Sequence, residues 1–236
     1  MVTPRLRPTR NILPPRFSGL DEVLVLVAHP DDETLWCGGT LLANPQWKTT
    51  ILSLCRGSDP DRGPKFTRAC VTLGASLCAS GDFDDGPEQR AMADGEVRDA
   101  LCALLPARDF DMVLTHCPYG EYTRHRRHEE TSRAVLGLWR DGELRARRML
   151  LFAYEDAGRS KLPEARKEAN LRLPLPDDLF RSKYSVVTEV YGFLPESWEA
   201  QATPRVEAFW TFDEPDEADR YFGALAFRPS DEEKQQ

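Results

Sequence analysis

The sequence has no long apolar run, and even its longest apolar segments, such as residues 23–28, are short. A helix needs about 20 apolar residues to cross a bilayer, so we predict no membrane span. The beginning of the chain is basic and rich in proline but has no apolar stretch of signal-peptide length. Together with the reduced thiols expected below, this makes the cytoplasm the default location. We expect residues 1–19 to form an arm that runs over the surface or lacks fixed structure, and residues 229–236 to form a polar tail.

An excess of positive charge is also missing. The chain has 31 lysines and arginines against 39 aspartates and glutamates, for a formal net charge of -8. Proteins that bind nucleic acid through its phosphates are normally basic, so we predict no nucleic-acid partner. A small anionic substrate could still meet a local basic patch.

Three familiar site motifs are absent. None of the six cysteines belongs to a Cys-x-x-Cys pair, which argues against a cysteine zinc site or a disulfide scaffold and favours reduced, buried thiols. Without Gly-x-Gly-x-x-Gly, a dinucleotide cofactor is not expected, and Gly38-Gly39 is interpreted as allowing close packing of a helix on a strand. Without Gly-x-Ser-x-Gly, there is no support for a serine-hydrolase nucleophile.

Short apolar runs alternate with amphipathic segments in the first two thirds of the chain. The runs predict strands at residues 23–28, 49–54, 75–79, 111–115 and 149–153. The segments between them predict helices at about 33–43, 66–73, 88–105 and 129–139. This alternation predicts an α/β fold: a Rossmann-like, doubly wound, mostly parallel sheet with helices on both faces.

The rest of the chain has a looser pattern. We expect a short helix from Asp177 to Lys183, and residues 186–190 could form an edge strand. A chain of 236 residues suits one sizeable α/β domain. Since there is no repeat or clear linker, we predict a single domain over residues 20–228.

All four histidines follow two of the predicted strands. The first strand is followed by His29-Pro-Asp-Asp-Glu33, and the fourth by a loop that contains His116, His125 and His128. In the common order of doubly wound sheets, the first and fourth strands are neighbours at the point where the strand order reverses, and ligands bind there at the carboxyl ends. The two loops are therefore expected to face each other across one crevice.

The residue types in these loops suit a catalytic zinc site. Zn²⁺ takes imidazole nitrogens and carboxylate oxygens, and three protein ligands leave a fourth position for water. Of the adjacent Asp31 and Asp32, one can bind the metal while the other acts as a base. Singly, each residue has an ordinary alternative, such as a helix cap for the aspartates or a hydrogen-bonded histidine at a strand end. The coincidence of both loops at one crevice favours the metal.

The motifs now permit a family comparison. Ala28-His-Pro-Asp-Asp-Glu33, Gly38-Gly-Thr40 and His125-x-x-His128 together resemble the LmbE-like/PIG-L family of zinc-dependent de-N-acetylases. The resemblance runs in order from about residue 23 to residue 135. It implies a Rossmann-like fold and the hydrolysis of an acetamide, often on N-acetylglucosamine attached to another group.

Carried over by position, the resemblance implies roles for individual residues. The implied zinc ligands are His29, Asp32 and His128. Asp31 becomes the general base, and His125 stabilises the oxyanion or helps to protonate the leaving amine. Arg62 matches a substrate-binding arginine of the family, although Lys65 stands where the family usually has a glutamate.

A second departure from the family pattern lies beside the site. The family often reads His-Pro-Asp-His where this chain has His125-Arg-Arg-His128. A guanidinium at Arg127 would lower the pKa of His125. Arg124, Arg126 and Arg127 form either a solvated basic face or a site for a phosphate or carboxylate of the substrate, and Arg127 is therefore a candidate substrate-binding residue.

Several weaker signals remain. Tyr122 is a candidate substrate-binding residue, with packing as its alternative. Asp84-Asp85-Gly86 could reach the site rim, though a turn is its default interpretation. Trp198 and Trp210 could line a sugar-binding wall, although core packing is the simpler role for both.

These observations predict an enzyme that uses zinc to remove an acetyl group from a small N-acetylated amino sugar or related amide, such as a glycoside or an anionic conjugate. Two alternatives stay open. One is a non-catalytic metal- or ligand-binding protein on the same fold, and the other is an amidase for a different amide conjugate. A protein that only binds needs no base beside the water, so the presence of Asp31 favours the enzyme. The sequence leaves the oligomeric state open.

Overall fold

The computed structural model describes residues 12–86, 88–107, 109–122 and 124–226. The strands in chain order are β1 (Glu22–Val27), β2 (Lys48–Cys55), β3 (Leu77–Phe83), β4 (Asp109–Thr115), β5 (Arg145–Phe152), β6 (Tyr154–Glu155), β7 (Glu164–Ala165), β8 (Leu171–Pro174) and β9 (Val206–Phe212). The helices are α1 (Asp32–Ala43), α2 (Arg62–Thr72), α3 (Asp94–Leu104), α4 (Arg126–Arg140), α5 (Asp177–Ser185), α6 (Trp198–Ala202) and α7 (Pro215–Ala226).

Seven of these strands form one sheet in the order β3-β2-β1-β4-β5-β9-β8. Strands β1 to β5 run parallel, while β9 pairs antiparallel with both β5 and β8. The predicted mostly parallel, doubly wound sheet is therefore confirmed. In the described part of the chain, no helix is both long and apolar enough to pass through a bilayer.

The sheet carries a core on each face, because alternate residues of β1 point to opposite sides. Val23, Val25 and Val27 belong to one apolar cluster, whereas Leu24 and Leu26 belong to the other. Buried residues of α1 and α2 complete the first cluster, and those of α3, α4 and α7 complete the second. Side chains of β1 are buried on both faces, which is why its sequence is a continuous apolar run.

The strand order places the two histidine loops together as the sequence predicts. β1 pairs in parallel with β4, with Val23 opposite Met112 and Leu26 opposite Thr115. On its other edge, β1 pairs with β2, so the strand order reverses between β1 and β4. The loops after β1 and β4 consequently leave the same edge of the sheet side by side.

Some predicted boundaries differ from the structure. β3 begins and ends later than the predicted 75–79, and α3 begins at Asp94 rather than near residue 88. The edge strand considered for residues 186–190 is wrong: Val186–Val190 is a π-helical turn that continues α5. Val186 and Val187 are both 1% exposed and pack into the core, while β8 occupies the sheet edge instead.

The beginning of the chain is only partly described. Within the arm predicted for residues 1–19, Leu13 is 8% exposed and Phe17 is 4% exposed, and both join the core cluster on the β1 valine side. These two side chains are thus part of the core rather than of a surface arm. Residues 1–11 and the polar tail predicted for 229–236 lie outside the described residues.

Candidate active site

The loop between β1 and α1 has an unusual backbone at Asp31. Its φ is 114°, in a region that residues other than glycine rarely adopt and that costs about 1–3 kcal/mol. The Asp31 N–H donates to the Glu33 carboxylate (3.0 Å), and the Tyr191 hydroxyl donates to the other Glu33 oxygen (2.7 Å). Glu33 is fully buried, so it anchors the strained loop from below.

The three predicted metal ligands come together at the carboxyl edge of the sheet. His29 Nδ1 lies 3.1 Å from both Asp32 Oδ2 and His128 Nε2, and Asp32 Oδ2 lies 3.3 Å from His128 Nε2. In a tetrahedral zinc site with bonds of 2.0–2.1 Å, neighbouring ligand atoms are about 3.3 Å apart. The three atoms therefore have the chemistry and roughly the spacing of ligands in a tetrahedral site for a divalent metal.

His128 is oriented by a carboxylate that the sequence analysis did not single out. Its Nδ1–H donates to Glu121 Oε2 (2.5 Å), and the other Glu121 oxygen accepts the N–H of Cys117 (2.8 Å). Because the carboxylate can only accept, the proton of neutral His128 is on Nδ1 and the lone pair of Nε2 faces the ligand triangle. The only sequence signal was an acidic residue in the histidine loop.

His29 is oriented in the same way by Asp85. Its Nε2–H donates to Asp85 Oδ1 (2.9 Å), so in the neutral ring the Nδ1 lone pair faces the ligand triangle. The second Asp85 oxygen accepts from Arg56 Nε (3.0 Å). Although burial raises the pKa of Asp85, hydrogen bonds from His29 and Arg56 lower it to about 2. Asp85 thus reaches the site and does more than form a turn.

The adjacent aspartates have opposite electrostatic environments. Burial and the Asp32 carboxylate raise the pKa of Asp31 well above its usual value, and Arg62 offsets part of this shift. Burial also acts to raise the pKa of Asp32, but the imidazoles of His128 and His116 hold it well below its usual value. The indole of Trp36 donates to Asp32 Oδ1 (2.9 Å), and the His29 N–H donates to Oδ2 (2.9 Å), whose second lone pair can face the ligand triangle. A raised pKa at Asp31 suits a proton acceptor, and a lowered pKa at Asp32 suits a metal ligand beside it.

His116 supports the site from behind. Its ring stacks on that of His128 with 3.9 Å between centroids, and its Nε2 accepts the N–H of Ala28 (2.9 Å). Asp32, His116 and His128 have potential ligand atoms within 4.8 Å of one another. Because the Nε2 lone pair is already used by the backbone, His116 is better suited to holding the two loops together than to binding a metal.

His125 precedes α4 and faces the cavity. Burial and the imidazoles of His128 and His29 lower its pKa to about 4. The sequence also predicts a lowered pKa for His125, but it assigns the shift to the charge of Arg127 rather than to burial and the two imidazoles. In the described part of the chain, His125 Nδ1 is buried without a hydrogen-bond partner. His125 is therefore a neutral imidazole at the lining of the cavity.

A cavity of about 250 Å³ opens over this cluster. Among the residues that line it are six of the predicted site residues: His29, Asp31, Asp32, Arg62, Tyr122 and His125. The other lining residues are Pro30, Leu35, Arg56, Asp85, Trp198 and Glu199. His128 lies beneath this surface and is fully buried.

The cavity walls combine paired charges with aromatic rings. Arg62 donates to Asp31 Oδ2 (3.1 Å), and its guanidinium lies 4.6 Å from the centre of the Phe193 ring. Tyr122 and Trp198 pack with 4.8 Å between ring centroids, and Trp198 is 40% exposed. Trp210, the other tryptophan considered for a sugar wall, is instead buried in the core.

The three arginines of the histidine loop lie outside the cavity lining. Arg127 is 1% exposed, pairs with Glu130 and donates to the carbonyl of Asp84 (2.9 Å). Arg124 pairs with Glu129, and Arg126 donates to the carbonyl of Gln89. Successive helical residues point about 100° apart, so a helix start that aims His128 at the crevice turns Arg127 away from it. Its buried position corrects the expectation of direct substrate contact.

Comparisons with known proteins agree with this geometry. Residues 24–139 match the model of the family described as PIG-L, GlcNAc-PI de-N-acetylase. No curated protein matches the sequence.

Solved structures share the fold at low sequence identity. N,N'-diacetylchitobiose deacetylase from Pyrococcus horikoshii is 16% identical with a TM-score of 0.63, covering 84% of this chain and 85% of its own. The zinc-inhibited form of teicoplanin deacetylase Orf2 is 17% identical with a TM-score of 0.52, covering 72% and 83%. GalB, a 4-carboxy-2-hydroxymuconate hydratase from Pseudomonas putida, is 17% identical with a TM-score of 0.54, covering 89% and 92%. At these identities, the likeness concerns the fold.

Proposed function

The chain belongs to the PIG-L (LmbE-like) family through residues 24–139, and from this premise we propose that it is a zinc-dependent hydrolase that releases acetate from an N-acetylated amino sugar or a related small amide. The observation that carries this proposal is the ligand triangle of His29, Asp32 and His128, with spacings of 3.1–3.3 Å, beside the Asp31 carboxylate. Two solved structures with this fold bear the names of deacetylases.

In this proposal, His29 Nδ1, Asp32 Oδ2 and His128 Nε2 hold the zinc ion. Bound zinc supplies a Lewis acid that polarises the amide carbonyl and lowers the pKa of water. Asp31 accepts the proton of the attacking water, because its raised pKa makes it a stronger base than an ordinary aspartate. The 3.1 Å contact with Arg62 holds this carboxylate at the cavity wall.

The low pKa of His125 assigns it a different task from that of a charged acid. At neutral pH the ring is uncharged, so it can donate one hydrogen bond to the developing oxyanion. The protonated Asp31 then carries the proton that the leaving amine needs. This distribution of tasks requires no carboxylate at position 127.

The cavity favours an uncharged substrate group over an anionic one. Its lining carries the carboxylates of Asp31, Asp32, Asp85 and Glu199 and two guanidiniums. Each of these guanidiniums already pairs with a site carboxylate, Arg56 with Asp85 and Arg62 with Asp31. A divalent cation would bring the formal charge of these groups to zero. We therefore propose a neutral N-acetylated sugar or amide rather than a phosphorylated conjugate.

The cavity also suits a single ring. Its volume of about 250 Å³ is below the 300–1,000 Å³ of pockets that enclose larger ligands, so the rest of a conjugate would extend past the mouth. Tyr122 and Trp198 provide an aromatic wall there, and the apolar face of a pyranose can pack on such rings. These features support an amino-sugar ring as the acetylated group.

The test joins metal analysis to a substrate screen. Purified protein should contain about one zinc ion per chain and release acetate from neutral N-acetyl sugars. Asp31→Asn should retain the metal but lose about 100- to 10,000-fold in rate, because it removes only the base. Asp32→Asn should weaken metal binding, whereas Asp141→Asn, on a half-exposed residue paired with Arg98, is the matched control.

Two other functions predict different outcomes. A hydratase is favoured by the fold shared with the Pseudomonas putida enzyme, and it would add water to a double bond without releasing acetate. A metal-binding protein without catalytic activity would retain zinc but turn over no substrate. Full acetate release by Asp31→Asn would disprove the mechanism, and a wild-type protein that releases no acetate from any N-acetyl compound would disprove the proposed function.

The substrate partner and location complete the proposal. We expect a small N-acetylated molecule as the partner. The six cysteines are all free, which suits a reducing compartment such as the cytoplasm.

A further inference from the structure

The start of α4 is hydrogen-bonded to the segment that follows β3. Arg127 Nε donates to the carbonyl of Asp84 (2.9 Å), and Glu130 accepts the N–H of Met92 (2.8 Å). Arg126 donates to the carbonyl of Gln89. We call residues 84–92 the Asp85 segment, of which 84–86 and 88–92 are described. Three residues at the start of α4 thus fix this segment at three points.

Two of these three residues form a buried ion pair. Arg127 is 1% exposed and Glu130 is 2% exposed, and their side chains are hydrogen-bonded to each other. Removing two charges from water carries a large desolvation penalty, and such pairs often contribute little net stability. A contribution to the stability of the fold is therefore a weak explanation for the presence of this pair. Its clearest geometric consequence is that the Arg127 guanidinium is directed at the Asp84 carbonyl.

The next residue in the chain is the one that orients a metal ligand. Asp85 accepts the Nε2–H of His29 (2.9 Å), and His29 Nδ1 belongs to the ligand triangle. A shift of the Asp84 carbonyl would move the adjoining Asp85 backbone. The His29 ring would then lose its partner or turn with it.

We propose that Arg127 is a positioning residue that sets the metal geometry at His29 through Asp84 and Asp85. Arg127 immediately precedes His128, so one helical turn supplies one ligand directly and orients another at a distance. This assigns a structural purpose to the arginine that stands where the family often has a carboxylate. The inference rests on the ligand set of the proposed function.

A double-mutant cycle on metal affinity tests the route of this effect. Zinc affinity is measured by competition with a chelating dye in wild type, Arg127→Met, Asp85→Ala and the double variant. Replacing partners of ligating histidines typically costs 10- to 100-fold in metal affinity, so Asp85→Ala should lose an amount in that range. Arg127→Met should lose about 10-fold. If Arg127 acts through Asp85, the double variant should bind zinc no more weakly than Asp85→Ala alone.

A general loss of stability would give a different pattern. Melting temperatures of the metal-free proteins are recorded in parallel, and a destabilising effect of Arg127→Met should appear there in both backgrounds. Arg124→Met is the matched control, because Arg124 has a side chain that is 73% exposed and pairs with Glu129 outside the Asp85 segment. It should bind zinc like the wild type.

Arg127→Lys keeps the inference testable if the methionine variant does not fold. Lysine retains the charge but lacks the planar fork that serves Glu130 and Asp84 together, so an intermediate loss of zinc affinity is expected. Wild-type affinity in every foldable Arg127 variant would overturn the inference, and so would equal losses with and without Asp85. A wild-type protein that binds no zinc would instead refute the ligand set of the proposed function.

Discussion

Replacing Glu121 with glutamine should weaken zinc binding while the chain still folds. In the wild type, one Glu121 oxygen accepts Nδ1–H of His128 (2.5 Å) and the other accepts the N–H of Cys117 (2.8 Å). Glutamine has only one side-chain oxygen, and its NH₂ group would face one of these two donors. The substitution therefore leaves one buried donor without an acceptor.

The magnitude follows from these two contacts. An unsatisfied buried donor costs about 1–3 kcal/mol, which lowers the melting temperature by about 2–4 °C per kcal/mol in a chain of this size. A glutamine is also neutral, so His128 becomes a weaker ligand. Outer partners of metal-bound histidines typically contribute 10- to 100-fold in affinity. We expect a loss in that range for Glu121→Gln.

Chelator competition measures the zinc affinity, and thermal unfolding of the metal-free protein measures the stability separately. Glu143→Gln is the matched control, since Glu143 has a side chain that is 54% exposed and pairs with Arg98 far from the site. An affinity of Glu121→Gln within about twofold of the wild type, well short of the expected range, would show that Glu121 does not set the orientation of His128.

Further predictions concern the cavity wall, the buried charges and acid stability. Trp198→Ala should raise KM for N-acetyl sugars with little change in kcat, whereas Trp198→Phe should retain most affinity. Equal KM values for wild type and Trp198→Ala in steady-state assays would show that Trp198 does not contact the substrate. Lys183→Met leaves the buried Glu207 without its cation, and urea unfolding should show a loss of about 3 kcal/mol or more. The folded-state pKa of Asp85 is depressed from 3.8 to about 2, so its stabilising contribution is present above pH 3.8 and is lost as the pH falls towards 2. Asp85→Asn should therefore flatten the acid side of the stability curve, and an unchanged curve would contradict the assigned contact.

The roles of the three arginines show where sequence patterns mislead. Arg124, Arg126 and Arg127 suggested either a solvated basic face or a patch that receives an anion of the substrate. In the structure, each of them is bound to a carboxylate or a backbone carbonyl, and none lines the cavity. Sequence spacing gives the angle between successive side chains on a helix but not the surroundings that each one meets.

The sequence by itself determined the architecture and the edge of the sheet at which the two histidine loops meet. The apolar runs of β1 and β4 required strands buried on both faces, and the order rule for parallel sheets then brought the loops that carry His29, Asp32 and His128 to one edge. The choice of these three residues as metal ligands came from the family resemblance. These inferences succeed because a local pattern reports how a segment is buried, and because few topologies are available to alternating strands and helices.

Only the tertiary structure decided how that triangle is held. Asp85 is 56 residues from His29 in the chain, and Glu121 is seven residues from His128 across an irregular loop. The first pair joins two different loops, and Glu121 lies before α4 rather than on it, so no helical or strand periodicity could pair them. Which nitrogen of each ring faces the ligand triangle and what Arg127 contacts both depend on the paths of the loops around α4. Those paths are set by long-range contacts rather than by local preference.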